Sequence, residues 1–369
     1  MTHRFISRPV RLAVPALAAG AVIAAAAGLP AQASPTPGWR VIRTLPAHNT
    51  SLDTIAVPKG GPAWAGGESS AQLPVVYHLV GGTWHAVTLP GTIGTFVNSM
   101  SATSGTNVWA SLANTPAVEH LTAKGWVGRT FAIGSDQILM AGVVSLSPKD
   151  TFVFADDIAT RLAYVYHDNG KLWTRKLIPS SPDGNSETGL ISATSYRNVW
   201  ALTDINDTPG SMRFNGKTWQ LIKFPGHLAP AGTEVLGRQI FAQSPTNVWA
   251  TVYTAAAKNV GPVVLMHWNG RKWSKVGGRL PKAALIGPIA SDGSGGLWLA
   301  GENTEFTKPL LLHYSHGKWS THSVPTVSGK LLSISEMSLI PGTHSILGAA
   351  VIAPTFGATL GSAVIKDGR

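Results

Sequence analysis

The chain has 369 residues, of which 44% are hydrophobic and only 13% charged, with a formal net charge of +11 and no cysteine. The missing cysteine excludes a disulfide framework, thiolate catalysis and thiolate-held metal, so stability has to come from burial. The basic balance favours anionic surfaces, but the cations are scattered and no basic run exceeds two residues, which argues against a nucleic-acid binder.

The first element is a targeting segment. Arg4, Arg8 and Arg11 precede an alanine-rich apolar run over 12–29, and Ala31-Gln32-Ala33 supplies a small-x-small cleavage site. Residues 1–33 are thus expected to be a signal peptide, cleaved after Ala33, and residues 34–369 an exported domain with no transmembrane segment. Pro15 and Pro30 interrupt the run, which argues against a retained anchor. Loss of the three leader arginines leaves 26 Lys and Arg against 18 Asp and Glu, a net charge of +8.

From Trp39 onward the sequence repeats. A marker ring or its stand-in falls at Trp64, Trp109, Phe152, Trp200, Trp249, Trp298 and Ile346, 43 to 49 residues apart, and at 107–110, 198–201 and 247–250 its context is Asn-Val-Trp-Ala. A second series, Trp39, Trp84, Trp126, Trp173, Trp219, Trp273 and Trp319, interleaves with the first. Units of this length, built of short β-type runs between Gly, Pro, Asn and Asp, predict an all-β fold: a seven-bladed β-propeller with four antiparallel strands per blade. In the fourth unit the strands are expected over 190–194, 199–203, 211–214 and 219–224.

Short polar turns such as 244–247 join the first strand of each unit to the second. Hairpins such as Asn169-Gly170, Asn215-Gly216, Asn269-Gly270 and Gly81-Gly82 join the third to the fourth, because Asn-Gly accepts the positive φ of a tight turn. The other two connections vary in length from unit to unit, so a ligand face is expected on their rim. The last unit runs through 331–337, 345–351 and 361–366 and stops where its fourth strand is due. Trp39-Arg40-Val41-Ile42 matches that missing strand, so the N-terminal segment is expected to complete the last blade and close the ring.

The Asn-Val-Trp-Ala element, together with Met266-His267-Trp268-Asn269-Gly270-Arg271-Lys272-Trp273, resembles the repeats of bacterial secreted β-propellers of the Kelch and galactose-oxidase central-domain type. It is also similar to tectonin-type lectin repeats. The resemblance covers residues 38–369 and implies the fold; the tectonin likeness further implies glycan binding. The copper site of galactose oxidase implies a Tyr-Cys pair, which a chain without cysteine cannot form. The Asp-box of sialidases is approached only by Asp168-Asn169-Gly170-Lys171-Leu172-Trp173, which lacks the serine.

Two constellations carry candidate chemistry. His78, His120, His167, His267 and His313, with Arg213 in the fourth unit, stand six residues before a second-series Trp. Third strands of separate blades lie about 10 Å apart, too far for one metal centre, so these residues are expected to make architectural hydrogen bonds. Four residues after the marker stand Glu68, Ala113, Asp156, Asp204, Tyr253, Glu302 and Ala350, with Asp157, Asp207 and Glu305 close behind. The carboxylates and the tyrosine suit sugar hydroxyls or a hard cation, and Glu68, Asp156, Asp204, Tyr253 and Glu302 are the predicted ligand-binding residues, converging on the channel mouth. The tryptophans are expected to fill the wedges between blades.

The reading is an exported, monomeric, non-catalytic binding module for cell-surface or extracellular carbohydrate. A polysaccharide lyase or glycoside hydrolase using axial carboxylates is the enzymatic alternative, and an extracellular protein scaffold is the third. No cofactor is expected beyond the Ca²⁺ that the rim carboxylates admit near the channel mouth, and no nucleic acid is expected as partner.

Overall fold

The computed structural model describes residues 38–45, 50–90, 96–131, 138–157, 159–160, 162–178, 186–205, 208–226, 228, 234–256, 259–277, 283–303, 307–353 and 361–367. The expected leader, residues 1–33, lies outside them. All the regular elements among them are strands, arranged as seven four-stranded antiparallel sheets. Blades 1 to 6 span 51–87, 97–130, 138–177, 186–223, 234–275 and 283–322, each a meander of consecutive strands. First strands of successive blades lie against one another and form the inner wall.

Blade 7 contains Leu331–Leu339, Ile346–Ala353 and Gly361–Asp367, and its outermost strand is Trp39–Leu45. Trp39 lies opposite Asp367 and Leu45 opposite Ser362. The ring is therefore closed by the N-terminal strand, as the sequence predicts. The first three strands run longer than expected and the fourth one residue shorter: in blade 4 they are Ser186–Ser195, Asn198–Ile205, Thr208–Phe214 and Trp219–Lys223.

Register corrects one marker. Each marker ring faces the histidine-series residue on the third strand: Trp64 with His78, Trp109 with His120, Phe152 with His167, Trp200 with Arg213, Trp249 with His267 and Trp298 with His313. In blade 7 the corresponding pair is Leu347 with Lys366, not Ile346. Leu347 packs toward blade 1, whereas Ile346 packs back against blade 6.

The two tryptophan series meet between blades. Trp64 lies edge-on to Trp126 at 5.7 Å, Trp109 to Trp173 at 5.7 Å, Trp200 to Trp273 at 5.8 Å and Trp298 to Trp39 at 5.3 Å. In each pair the second-strand ring of one blade receives the fourth-strand ring of the next, so aromatic burial drives the stacking of blades. Trp268, outside both series, also packs: it is 5% exposed and 5.4 Å from Trp200.

A hydrogen-bonded hub repeats behind the rings. Asn107 Oδ1 accepts from Trp109 Nε1 at 3.1 Å and from His120 Nε2 at 2.8 Å, and its amide donates to Thr103 Oγ1 at 2.6 Å and Ser145 Oγ at 3.0 Å. Both donors and both acceptor sites of the amide are used. Asn198 repeats the bonds to Thr194 and Trp200, and Asn247 those to Gln243 and His267. In blades 3 and 6 the carboxylates of Asp150 and Asp292 hold His167 and His313 at 2.7 and 2.9 Å. The imidazoles stack on the marker rings at 3.7 to 4.5 Å in four blades, and Arg213 lies 5.3 Å over Trp200. The histidine series is therefore architectural, as expected.

Hydroxyls on the first strands tie blade to blade. Thr54 Oγ1 accepts from Met100 N, Ser99 Oγ from Val143 N, Ser101 Oγ from Ser145 N and Ser192 Oγ from Ala242 N. The donors belong to the exposed inner edge of the following blade, which would otherwise need water. On the outer hairpins, Gly170, Gly216 and Gly270 take φ of 79°, 95° and 93°. Their Asn partners instead use the side chain, Oδ1 of Asn169, Asn215 and Asn269 each accepting two backbone N–H groups of the turn.

Candidate functional site

The predicted rim residues do occupy one structural position. Glu68 lies opposite Ser51 and Pro74, Asp156 opposite Leu139 and Ala163, and Asp204 opposite Glu187 and Pro209. Tyr253 lies opposite Leu236 and Val263, and Glu302 opposite Leu285 and Pro309. All five stand at the ends of second strands, on the rim of the variable loops.

At Glu302 and Tyr253 the side chain faces the neighbouring blade rather than the channel mouth. Four residues past the marker is an even step along a strand, which returns to the marker's side, and that side faces the next blade rather than the axis. Glu302 shows the result: it is 8% exposed and accepts a hydrogen bond from Ser333 Oγ of blade 7 at 3.0 Å. Burial pushes its carboxyl above the usual range, and Ser333 and Arg238 act in the opposite sense. Tyr253 packs against the apolar cluster, which includes Leu265, Ile289 and Leu299, in the seam between blades 5 and 6. Glu68 and Asp156 are half-buried. The side chain of Asp204 lies outside the described residues, as do Asp207 and Glu305. The register thus places the set one per blade, at the same level of the second strand.

Asp157 has a local task. It is 3% exposed, and its Oδ1 accepts the N–H groups of Ala159 and Thr160 at 3.1 and 3.2 Å, which caps the turn leaving the strand. Ala113 is buried, and with the blade 7 marker moved to Leu347 the equivalent position there is Val351 rather than Ala350. Among the described residues, no three His, Asp or Glu side chains gather as a metal site requires.

The inner wall carries a feature with no marker in the sequence. Every first strand is irregular at the same level, between Leu52 and Thr54, Val97 and Ser99, Met140 and Gly142, Thr188 and Ile191, Gly237 and Gln239, Ile286 and Ile289, and Ile334 and Glu336. A bulge sets its extra residue outside the ladder register and re-aims the side chain. The extra residues include Asp53, Asn98, Arg238 and Ser335. Asn98 is drawn into the frame, accepting from Ser111 Oγ at 2.6 Å and donating to the Met140 carbonyl of blade 3. Arg238 is exposed on the innermost strand.

Glu336 follows the blade 7 bulge, and its Oε1 accepts the N–H of Met337 at 3.0 Å. Burial pushes its carboxyl up to about 7, against that hydrogen bond. A carboxyl raised on folding favours the folded state while both states are protonated. That advantage is lost as pH rises from the ordinary carboxylate range, near 4.5, through about 7. Glu336→Gln is therefore expected to stabilise the protein at pH 8 by about 2 kcal/mol and to leave it unchanged at pH 4. Thermal melts across this range check it; equal shifts at both pH values would refute the assignment.

A cleft of about 520 Å³ opens on the opposite rim, in the seam between blades 3 and 4. Its walls include Lys149, Asp150, His167, Lys176, Tyr196 and Trp219. The sequence carries one trace of it, the replacement of the marker Trp by Phe152.

No known family's sequence profile matches the chain, and no curated protein sequence matches it. Solved structures do. Virginiamycin B lyase from Staphylococcus aureus superposes with a TM-score of 0.58 at 14% identity, over 88% of this chain and 97% of that one. YCF48 from Cyanidioschyzon merolae superposes with a TM-score of 0.57 at 15% identity, over 89% and 98%. The WD40 propeller domain of Doa1 gives 0.57 at 12% identity, over 90% and 97%. At such identities the likeness is one of fold, and the fold is the β-propeller.

Proposed function

We propose that the chain is an exported, non-catalytic binding propeller that recognises extracellular or cell-surface carbohydrate. The observation that carries this reading is a division of labour along the second strand. The residue two before the marker, the ring itself and the third-strand base are consumed by the repeated hub, whereas the position four further on is outside it and differs from blade to blade. Carboxylates and a tyrosine at that position, one per blade beneath loops of unequal length, suit the dispersed hydroxyls of a polymer better than a single reacting bond. The tectonin likeness of the repeats points the same way.

The test is a glycan array with the purified protein and with Glu68→Ala, Asp156→Ala and Asp204→Ala. Glu302 is left intact because it braces blade 6 to blade 7. Each substitution is expected to weaken binding to a common glycan by about tenfold, the worth of one charge-assisted hydrogen bond. Absence of binding to any glycan, or shortening of a polysaccharide by the protein, would refute the reading. One structural neighbour is a YCF48 bound to a D1 peptide, which makes a peptide partner the second reading. Recovery of one protein from the surface of the producing cell, with no glycan binding, would favour it.

A further inference from the structure

The seam between blades 3 and 4 differs from its neighbours. In the seams on either side a marker Trp meets the next blade's fourth-strand Trp, Trp109 with Trp173 and Trp200 with Trp273. Here the marker is Phe152, and Trp219 instead packs two residues further along, on Phe154 at 5.3 Å, and against Phe214 at 5.2 Å. The rim end of the seam is left open. Tyr196, from the turn of blade 4, projects over the gap 39% exposed, 5.2 Å from His167 and 5.3 Å from Phe214.

We infer that this cleft binds the ring of an acidic sugar, a uronate. The inference rests on the carbohydrate reading above, and it places a second contact on the rim opposite the variable loops. Three features of the wall select the class. Tyr196 and the half-buried Trp219 offer ring faces, which suit the flat C–H face of a pyranose. Asp150 Oδ1 accepts from His167 Nε2 at 2.7 Å, and its Oδ2 takes no hydrogen bond from the described residues, so the wall offers an acceptor that a sugar hydroxyl can fill. Lys149 and Lys176 stand exposed on the same wall, and the Lys149 stem lies against the Gly170 hairpin, within 3.0 Å of where a Cβ there would stand. A neutral sugar leaves Lys149 unused and Lys176 with only its place over the Phe214 ring at 5.9 Å. An aromatic acid has no hydroxyl for Asp150. A ring that carries hydroxyls and a carboxylate satisfies all three features.

The experiment is calorimetric titration of the purified protein with digalacturonate and diglucuronate, and with cellobiose as the neutral control. Binding of a uronate is expected, with cellobiose at least about tenfold weaker. Tyr196→Ala is expected to weaken uronate binding about tenfold through lost stacking, whereas Tyr196→Phe, which keeps the ring contacts to His167 and Phe214, is expected to retain it. The double variant Lys149→Ala/Lys176→Ala is expected to remove most of the salt dependence. Equal affinity for cellobiose overturns the uronate assignment. Uronate binding that survives Tyr196→Ala and the lysine pair but falls with Glu68→Ala or Asp156→Ala overturns the cleft and leaves the carbohydrate reading standing. Binding of none of the three, with an array also empty, overturns both.

Discussion

Removing residues 34–46 is expected to leave a chain that aggregates or fails to fold. The deletion takes away the outermost strand of blade 7 and, with it, the pairing of Trp39 through Leu45 with Asp367 through Ser362. It also empties the seam between blades 6 and 7, where Trp39, 9% exposed, packs edge-on to Trp298 among Ile334, Ile346 and Ile365. Loss of a buried tryptophan alone costs about 3–5 kcal/mol. The strand left behind, Gly361–Asp367, would present an open row of N–H and C=O groups on one side, which invites pairing with other chains. Size exclusion and thermal melting of the purified product check this. A monomeric truncated protein melting at the full-length temperature would refute closure by the N-terminal strand. Trp39→Ala separates the two contributions: it keeps the strand, and is expected to remain monomeric with a melting temperature lowered by several degrees.

Asn107→Ala should destabilise the protein by about 3 kcal/mol. Asn107 is 1% exposed, and truncation leaves the Trp109 and His120 nitrogens facing a void, each unpaired polar group costing about 1–3 kcal/mol. Because Oδ1 accepts from both, His120 carries its proton on Nε2. Asn107→Asp should cost less, since blade 3 already holds its histidine with Asp150. The reverse change supports the argument. Blade 1 has Pro62 at the hub position, and Trp64 Nε1 is buried there with no hydrogen-bond partner among the described residues. Pro62→Asn supplies the missing acceptor and should stabilise by about 1 kcal/mol. Chemical denaturation of the three variants is the measurement. A cost below about 0.5 kcal/mol for Asn107→Ala would show that the rings, not the amide, fix the hub.

Burial pushes His120 and His267 below their usual range. Histidines held neutral in the fold stabilise it above the ordinary imidazole range, and the contribution fades as pH falls through that range, because the unfolded chain then takes up protons that the folded one refuses.

The ring was legible because its elements are large and periodic. Two tryptophan series fixed the number of blades, and the clasp followed from a missing Trp at one end and a spare one at the other. The slip in blade 7 has a physical cause: Ser345-Ile346-Leu347-Gly348 is apolar on both faces and has no ring, so a two-residue period cannot tell Ile346 from Leu347. At the candidate site, position was legible and direction was not. Counting four residues from the marker located Glu68, Asp156, Asp204, Tyr253 and Glu302 on one rim. The side they face follows from which blade the marker ring packs against, a tertiary fact. The bulges are backbone events at Asp53, Ala141 and Arg238 alike, with no common residue to announce them. The cleft exists because Phe152 is smaller than Trp and because Tyr196 reaches it from another blade, a pairing that no local pattern encodes.

The clasp also has a kinetic meaning. Trp39 is among the first residues of the domain and Asp367 among the last, so the contact that seals the ring spans almost the whole chain. The other strand pairings in the sheets join neighbours in sequence and can form as soon as both strands exist. The final pairing has to wait for the last strand and must close the largest loop in the molecule. Until then Trp298 lacks its partner and the ring is an open arc. Folding should therefore show a slow last phase reported by Trp39 fluorescence, after the other blades have acquired their β signal.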